Sequence, residues 1–390
     1  MDETEAILAG WREVERGGDT AVLATVVHVQ GSAYRRPGAR MLIRRDGRHV
    51  GSISGGCLET DVCRKAWWMT EGGRPTLRIY DTRSEDDAVW EFGLGCNGVV
   101  HVLLERLDSE AAGQALAFLA ERRSARLPGV IATVVAVAAG AGLEVGDRLF
   151  VDQHGVTRGG ALAGTALETA VRAHARACLH AGRSRLVHCD AGAVFVEWVA
   201  PPLPLVIFGA GHDALPLATF AKQLGWHVTI ADGRPAFARP DRFPTADQVV
   251  LLSRHDPLSG LMVDSNSIVV VMTHNFPQDV ALLRALLPVR PRYLGLLGSQ
   301  LRRARLLAEL GSVDDVDLHA PVGLDIGADT PELIALAIVA EIQAALSGRA
   351  GGKMRLREGS IHSPVDEVGE AAATSEPVEY PVCALAVGDA

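Results

Sequence analysis

The run Leu205-Val-Ile-Phe208 leads straight into Gly209-Ala-Gly211-His212-Asp213-Ala214 and then into an amphipathic stretch that reaches about Leu224. This order leaves the chain few options. A short, wholly apolar strand that turns at once into a helix has to be covered on both faces, as strands are in a parallel sheet with crossover helices. The first glycine permits the tight turn, and the second lets backbone amides approach a phosphate. The small third residue lets helix and strand pack, and the helix N-terminus favours an anion. A second strand, Trp226–Ala231, ends at Asp232, where a carboxylate is placed to accept from a ribose 2′-OH.

The alternation continues. Gln248–Leu252, Ser267–Met272 and Arg292–Leu297 read as buried strands, and Gln278–Leu287 and Ser299–Leu310 as helices. A last helix, Pro331–Leu346, has Thr330 as N-cap and proline at its first position. Loops at strand C-terminal ends are where such sheets bind ligands. That singles out Gly209, Gly211 and His212, then Arg234 two residues past Asp232, then Thr273-His274, then Gly298-Ser299 ahead of Arg302. Arg234 is placed to meet a 2′-phosphate or a pterin phosphate, with a solvated side chain as the plainer alternative. Ser299 and Arg302 suit a second anionic group, or else form an ordinary cap and a solvated basic face. For His274 the plainer alternative is a hydrogen-bonded loop histidine.

Pro201-Pro-Leu-Pro204 marks the boundary ahead of this half, because three prolines in four residues make a stiff linker. The fold class expected is α/β, with a Rossmann-like parallel-sheet domain over residues 201–349 preceded by a mixed α+β domain over residues 1–200. The first half has less regular elements: helices at Asp2–Arg16, Leu58–Met69, Glu110–Arg123 and Ala161–Ala181, with short strands between and after them, among them Ala21–Gln30, Val130–Val137 and Arg185–Val199. Residues 350–390 turn Gly, Glu, Ala and Pro rich and are expected to form a disordered tail.

Composition narrows the function. The net charge of -9 argues against a general nucleic-acid binder, which needs a basic face. The longest uncharged run, Leu127–Leu143, contains Pro128 and three glycines and reads as a buried strand and turn rather than a membrane span. The acidic N-terminus lacks the order of a signal peptide, and the six cysteines form no CxxC pair. Reduced thiols in a cytoplasmic protein is the expectation.

Two of those cysteines sit among glycines. Cys57 follows Ser54-Gly55-Gly56 at a helix start, where peptide dipoles and free amides favour a thiolate. Cys96 lies in Gly95-Cys-Asn-Gly98. Glycine flanks leave room for a ligand at sulfur and backbone together, and a soft thiolate suits molybdenum chemistry or a transferable sulfur. Taken alone, each is better read as a buried structural cysteine. Arg35, Arg36 and Arg40 flank Pro37-Gly38, an arrangement that can hold a phosphate or simply form a solvated turn.

With these motifs in view, the chain resembles the XdhC/CoxI family. GSAYRRPGARMLIRRDGRHVGSISGGCLE (Gly31–Glu59) and LGCNGVVHVLLE (Leu94–Glu105) resemble the family's two N-terminal signatures. Val206–Pro244, Arg292–Gly311 and His319–Ile342 resemble its Rossmann half, in the family's order. The resemblance implies an accessory chaperone rather than a stand-alone enzyme. Such a protein binds molybdenum cofactor (molybdopterin), shields it, assists its sulfuration with a cysteine desulfurase, and delivers it to a xanthine dehydrogenase-type molybdo-hydroxylase. On that reading Cys57 and Cys96 bind or relay at molybdenum, Arg36, the Gly209–Gly211 loop and Ser299 hold the pterin's phosphate, and the assembly is a homodimer. No nucleic acid or membrane partner is implied. The alternatives are an NAD(P)-binding oxidoreductase, supported by the fingerprint and Asp232, and a nucleotide-sensing module that docks onto a partner. The chain departs from the family pattern at Asn97, at Asp213 where an apolar residue is common, at Ala214, and around Cys383.

Overall fold

A computed structural model describes residues 2–56, 58–81, 98–108, 110–253, 256–311, 317–358 and 366–369. The chain divides into two compact units, one built on Glu3–Pro201 and the other on Pro202–Gly359.

The first unit holds two sheets. Its elements are α1 (Glu3–Arg16), β1 (Ala21–Gly31), β2 (Arg40–Arg44), β3 (His49–Gly51), α2 (Glu59–Met69), β4 (Thr76–Asp81), β5 (Gly98–Arg106) and α3 (Glu110–Ala125). There follow β6 (Gly129–Val137), β7 (Arg148–Val151), β8 (Thr157–Gly159), α4 (Glu168–Ala181), β9 (Arg185–Cys189) and β10 (Gly192–Val199). The first sheet has the order β3-β2-β1-β5-β4, all antiparallel. β1 is apolar almost throughout because both its faces are covered. Val22, Ala24 and Val26 meet Val62 and Ala66 of α2, while Ala21 and Leu23 meet the α1 stripe of Ile7, Leu8, Trp11 and Val14. In the second sheet, α4 lays Val171, Ala175 and Cys178 on Val130, Ala132 and Val194. The two sheets pack together through Val27 and Leu103 on one side and Val135, Leu186 and Phe195 on the other.

Two buried ion pairs cross between these sheets. Arg148 of β7 donates to both oxygens of Glu105 on β5, at 2.8 and 2.5 Å, and the Glu105 side chain is fully buried. Arg40 of β2 donates to both oxygens of Glu197 on β10, at 2.8 and 2.5 Å. Unpaired, either charge would be strongly disfavoured at such depth.

The second unit consists of β11 (Pro204–Phe208), α5 (Ala214–Gln223), β12 (His227–Asp232), β13 (Gln248–Leu251), β14 (Ile268–Val271), α6 (Phe276–Leu286), β15 (Tyr293–Leu296), α7 (Gln300–Leu310), β16 (Leu318–His319) and α8 (Pro331–Leu346). Its sheet is wholly parallel with the order β13-β12-β11-β14-β15-β16. This is the doubly wound order of dinucleotide-binding folds. Strand alternation sorts the core. Leu205, Ile207, Ile268 and Val270 face α5 and α8, while Val206, Phe208, Val269 and Val271 face α6 and α7. Each fully buried aliphatic side chain contributes about 1.5–3 kcal/mol. The chain order reverses direction between β11 and β14, so their carboxyl ends frame the crevice where a ligand is expected.

Several details differ from the sequence reading. Arg185–Val199 is a hairpin of two strands, broken at Asp190-Ala191, not one. The helix expected from Ala161 starts at Glu168, and β8 and β16, of three and two residues, were too short to show a period. Gln248–Leu251, expected to be buried, is a sheet edge with Leu251 largely exposed. Within the stretch expected to lack structure, Asp366–Gly369 forms a further strand, β17, parallel to β9.

Candidate functional site

Along the carboxyl edge of the second unit, every candidate residue with a charge is tied to a neighbour. Gly209 makes the turn at φ +115°, and its amide donates to the Ala231 carbonyl at 2.8 Å. A β-carbon there would lie 2.4 Å from the Met272 carbonyl oxygen, so only glycine fits. The next residue is held on both sides: the Ala210 amide donates to Asp232 Oδ2 at 2.7 Å, and the Ala210 carbonyl accepts from Arg242 Nη1 at 2.9 Å.

Asp232 is 2% exposed. Its Oδ1 accepts from the Arg234 amide at 2.8 Å and Nε at 2.9 Å, and its Oδ2 accepts from Arg234 Nη2 at 2.7 Å. Burial pushes its carboxyl up, but the Arg234 guanidinium and the Ala210 and Arg234 amides outweigh that and hold it below the usual range. Asp232 in turn raises Arg234, whose guanidinium also lies 3.8 Å from the centre of the Phe237 ring. The fingerprint predicted a free acceptor for a ribose; both Asp232 oxygens are instead engaged within the chain.

Asp213 folds back over the glycine loop. Its Oδ2 accepts from His274 Nε2 at 2.6 Å, and its Oδ1 lies 2.5 Å from where a β-carbon on Gly211 would be. It occupies the N-cap position of α5 without bonding to the helix's amides through its side chain. His274 reaches it from a left-handed backbone, φ +57°, while His212 stays exposed. Beyond, Thr273 Oγ1 donates to buried Asp279 at 2.5 Å. Asp279 also accepts from Arg302 Nε and Nη2 at 3.1 and 2.6 Å. Ser299 caps α7 by accepting from the Arg302 amide at 3.2 Å. Gly298 makes room for Arg302, whose Cδ would lie 2.6 Å from a β-carbon there.

In the first unit, the two loops of the first signature, residues 32–39 and 52–56, are stitched together. Glu3 accepts from the Arg35 guanidinium and, at 2.8 Å, from the Ser52 amide, while the Tyr34 ring lies against Gly55. Of the three arginines, Arg35 is paired with Glu3 and Arg40 with Glu197. Arg36 has no ion pair among the described residues, and burial lowers its pKa. It lines a cavity of about 310 Å³ whose walls include Ile7, Leu8, Tyr34 and Leu116. The contrast is testable by thermal unfolding. Arg36→Ala should change stability by no more than about 0.5 kcal/mol, whereas Arg40→Ala, which strands Glu197, should lose about 3–5 kcal/mol.

The second loop wraps a carboxylate of its own. Glu59 accepts from the Ile53, Ser54, Gly55 and Gly56 amides at 3.0, 2.9, 3.2 and 2.9 Å. The Ser52 hydroxyl donates to it at 2.8 Å, and the Ser54 hydroxyl donates as well. Gly55 and Gly56, at φ +122° and +121°, let these amides converge. Burial pushes the Glu59 carboxyl up, but the Ser54, Ser52 and Gly55 hydrogen bonds overwhelm it and hold the group far below the usual carboxylate range. The amides expected to support an anion at the helix start are thus turned onto Glu59. Cys57 and Cys96 lie outside the described residues.

The profile of the XdhC Rossmann domain matches residues 205–342, and that of the XdhC and CoxI family matches residues 14–81 and 122–190. The chain belongs to the XdhC and CoxI family. It is 36% identical over 325 residues to a protein of Bacillus subtilis named as a probable xanthine dehydrogenase component, covering 83% of this chain and 92% of that one. It is 25% identical over 346 residues to the molybdenum cofactor insertion chaperone PaoD of Escherichia coli, covering 87% and 88%. A solved structure titled as a xanthine dehydrogenase from Bacillus halodurans superposes with a TM-score of 0.74 at 32% identity, covering 92% of this chain and 98% of that one.

The XdhC and CoxI match takes in both stitched loops, from Arg36 to Glu59. The topology brings Gly209, Gly211, His212, Asp232, Arg234, Thr273, His274, Gly298, Ser299 and Arg302 to one sheet edge, as the spacing predicts. Sequence reasoning missed Glu59, Asp279 and Arg242, and the pairing of Asp213 with His274. Asp213 in a phosphate-facing loop was the visible signal for the last. No helix among the described residues is long and apolar enough to cross a membrane.

Proposed function

We propose that this XdhC/CoxI protein binds molybdenum cofactor as cargo, protects it, assists its sulfuration by a cysteine desulfurase, and hands it to a xanthine dehydrogenase-type molybdo-hydroxylase. One observation carries the reading: the family match runs through both units, and a relative covering 87% of the chain is a molybdenum cofactor insertion chaperone. Arg36 adds a group that fits. A half-buried guanidinium beside a cavity, with no ion pair among the described residues, is suited to a phosphate, since it forms charge-assisted, bidentate bonds without first giving up a carboxylate. Cys57, which follows Gly55 and Gly56 in sequence, and Cys96 are assigned to the molybdenum end. Gly209, Gly211, Ser299 and their neighbours form the ligand crevice of the second unit, and the working assembly is a homodimer.

An NAD- or NADP-dependent oxidoreductase is the weaker reading. The strand order suits a dinucleotide, but Asp232, Arg234 and Arg302 are engaged within the chain. Transfer decides between them. Full chain preloaded with cofactor should restore activity to a cofactor-free client hydroxylase faster than free cofactor does, and Cys57→Ala or Arg36→Ala should slow that transfer. Equal rates with and without the protein would overturn the chaperone reading.

A further inference from the structure

The second unit has the strand order and glycine turn of a dinucleotide site, yet a carboxylate lies where the pyrophosphate has to come. In such loops the second glycine lacks a side chain so that a phosphate can approach the backbone and the helix N-terminus. Here that space belongs to Asp213, whose Oδ1 lies 2.5 Å from the β-carbon position of Gly211. The side chain is 16% exposed, and its other oxygen accepts at 2.6 Å from Nε2 of His274, a side chain 65% exposed. His274 holds a left-handed conformation, φ +57°, in the turn after β14.

The remaining dinucleotide contacts are engaged as well. The Ala210 amide is bonded to Asp232 and the Ala210 carbonyl to Arg242. The acid that would take the ribose is held by Arg234 through three bonds, at 2.8, 2.9 and 2.7 Å. Of these carboxylates, Asp213 is the one that no arginine among the described residues pairs with directly, although the Arg234 charge acts on it as well. Asp232 and Asp279 are each paired directly with an arginine, whereas the direct partner of Asp213 is an imidazole.

We infer that Asp213 is a specificity-determining residue that closes the Rossmann crevice to pyrophosphate-bearing dinucleotides, and that His274 latches it over the glycine loop. The crevice therefore admits, next to Gly211, a group that offers N–H or O–H donors to the carboxylate rather than one that brings a phosphate. This goes beyond the cofactor reading and does not depend on it, since it concerns one sheet edge and is read with dinucleotides alone.

The test is calorimetric titration of the full chain with NAD, NADP and inorganic pyrophosphate, on the wild type, Asp213→Ala and Asp213→Asn. Asparagine keeps the size and the hydrogen bond to His274 while removing the charge, so it decides the matter if the alanine variant folds poorly. Expected is wild-type binding no tighter than about millimolar, with both variants gaining roughly tenfold or more for at least one dinucleotide. Micromolar binding by the wild type, or no gain in Asp213→Asn, would overturn the inference.

Discussion

Replacing Glu59 by alanine should cost the first unit about 3–5 kcal/mol, and glutamine should do little better. Six donors converge on the Glu59 carboxylate, from Ser52, Ile53, Ser54, Gly55 and Gly56. Alanine leaves them facing one another with no acceptor. Glutamine restores one oxygen but turns an NH2 group against donors that need the other. Aspartate is a methylene too short to reach the full set. The pH dependence follows from the direction of the shift. The folded-state pKa of Glu59 is depressed, so its contribution is complete above the ordinary carboxylate range. It is lost as pH falls below that range toward the folded value. Unfolding of wild type and Glu59→Gln should therefore differ by a constant amount from about pH 5 to pH 8 and converge in stronger acid. A gap that opens only near neutrality would show that a different group is involved.

The second large effect lies between the two sheets of the first unit. Glu105→Leu should destabilise by about 3–5 kcal/mol, because it leaves the Arg148 guanidinium buried and uncompensated. The pair is 0% and 5% exposed at Glu105 and Arg148, and beyond Glu105 the guanidinium has, among the described residues, the Gly146 carbonyl at 3.1 Å. Arg148→Met alone should cost a similar amount by stranding the carboxylate. The double substitution Glu105→Leu with Arg148→Met should recover most of the loss, since replacing a whole buried pair with apolar groups is often neutral or better. Denaturant unfolding of the four-member cycle checks this. Additive losses, with no recovery in the double variant, would mean that the two side chains act independently.

The legibility of this chain was uneven for physical reasons. The Rossmann unit was readable because a buried parallel sheet writes itself as repeated apolar runs, each followed by a turn and a helix. Leu205–Phe208 and Ser267–Met272 are of this kind. The first unit was harder. β1 is buried on both faces, so its alternation vanishes, and its partner order β3-β2-β1-β5-β4 depends on pairings far apart in sequence. The site residues followed the same division. That Gly209, His274 and Ser299 share an edge follows from strand order, which local spacing implies. That Asp213 meets His274, or that Asp279 holds Arg302, depends on side chains 61 and 23 positions apart. The Glu59 cradle is local, but nothing in SISGGCLE says that the amides will turn inward onto a glutamate instead of outward to a ligand.

The proposed function has this protein carry molybdenum cofactor on its family-type loops. Binding of molybdopterin cofactor to the full chain tests it most directly, measured beside NAD and NADP on wild type, Cys57→Ala and Arg36→Ala. Expected is micromolar or tighter binding of the cofactor by the wild type, weakened in both variants, with dinucleotides failing to compete. Binding of dinucleotides alone, with Cys57→Ala and Arg36→Ala both indistinguishable from wild type, would contradict it.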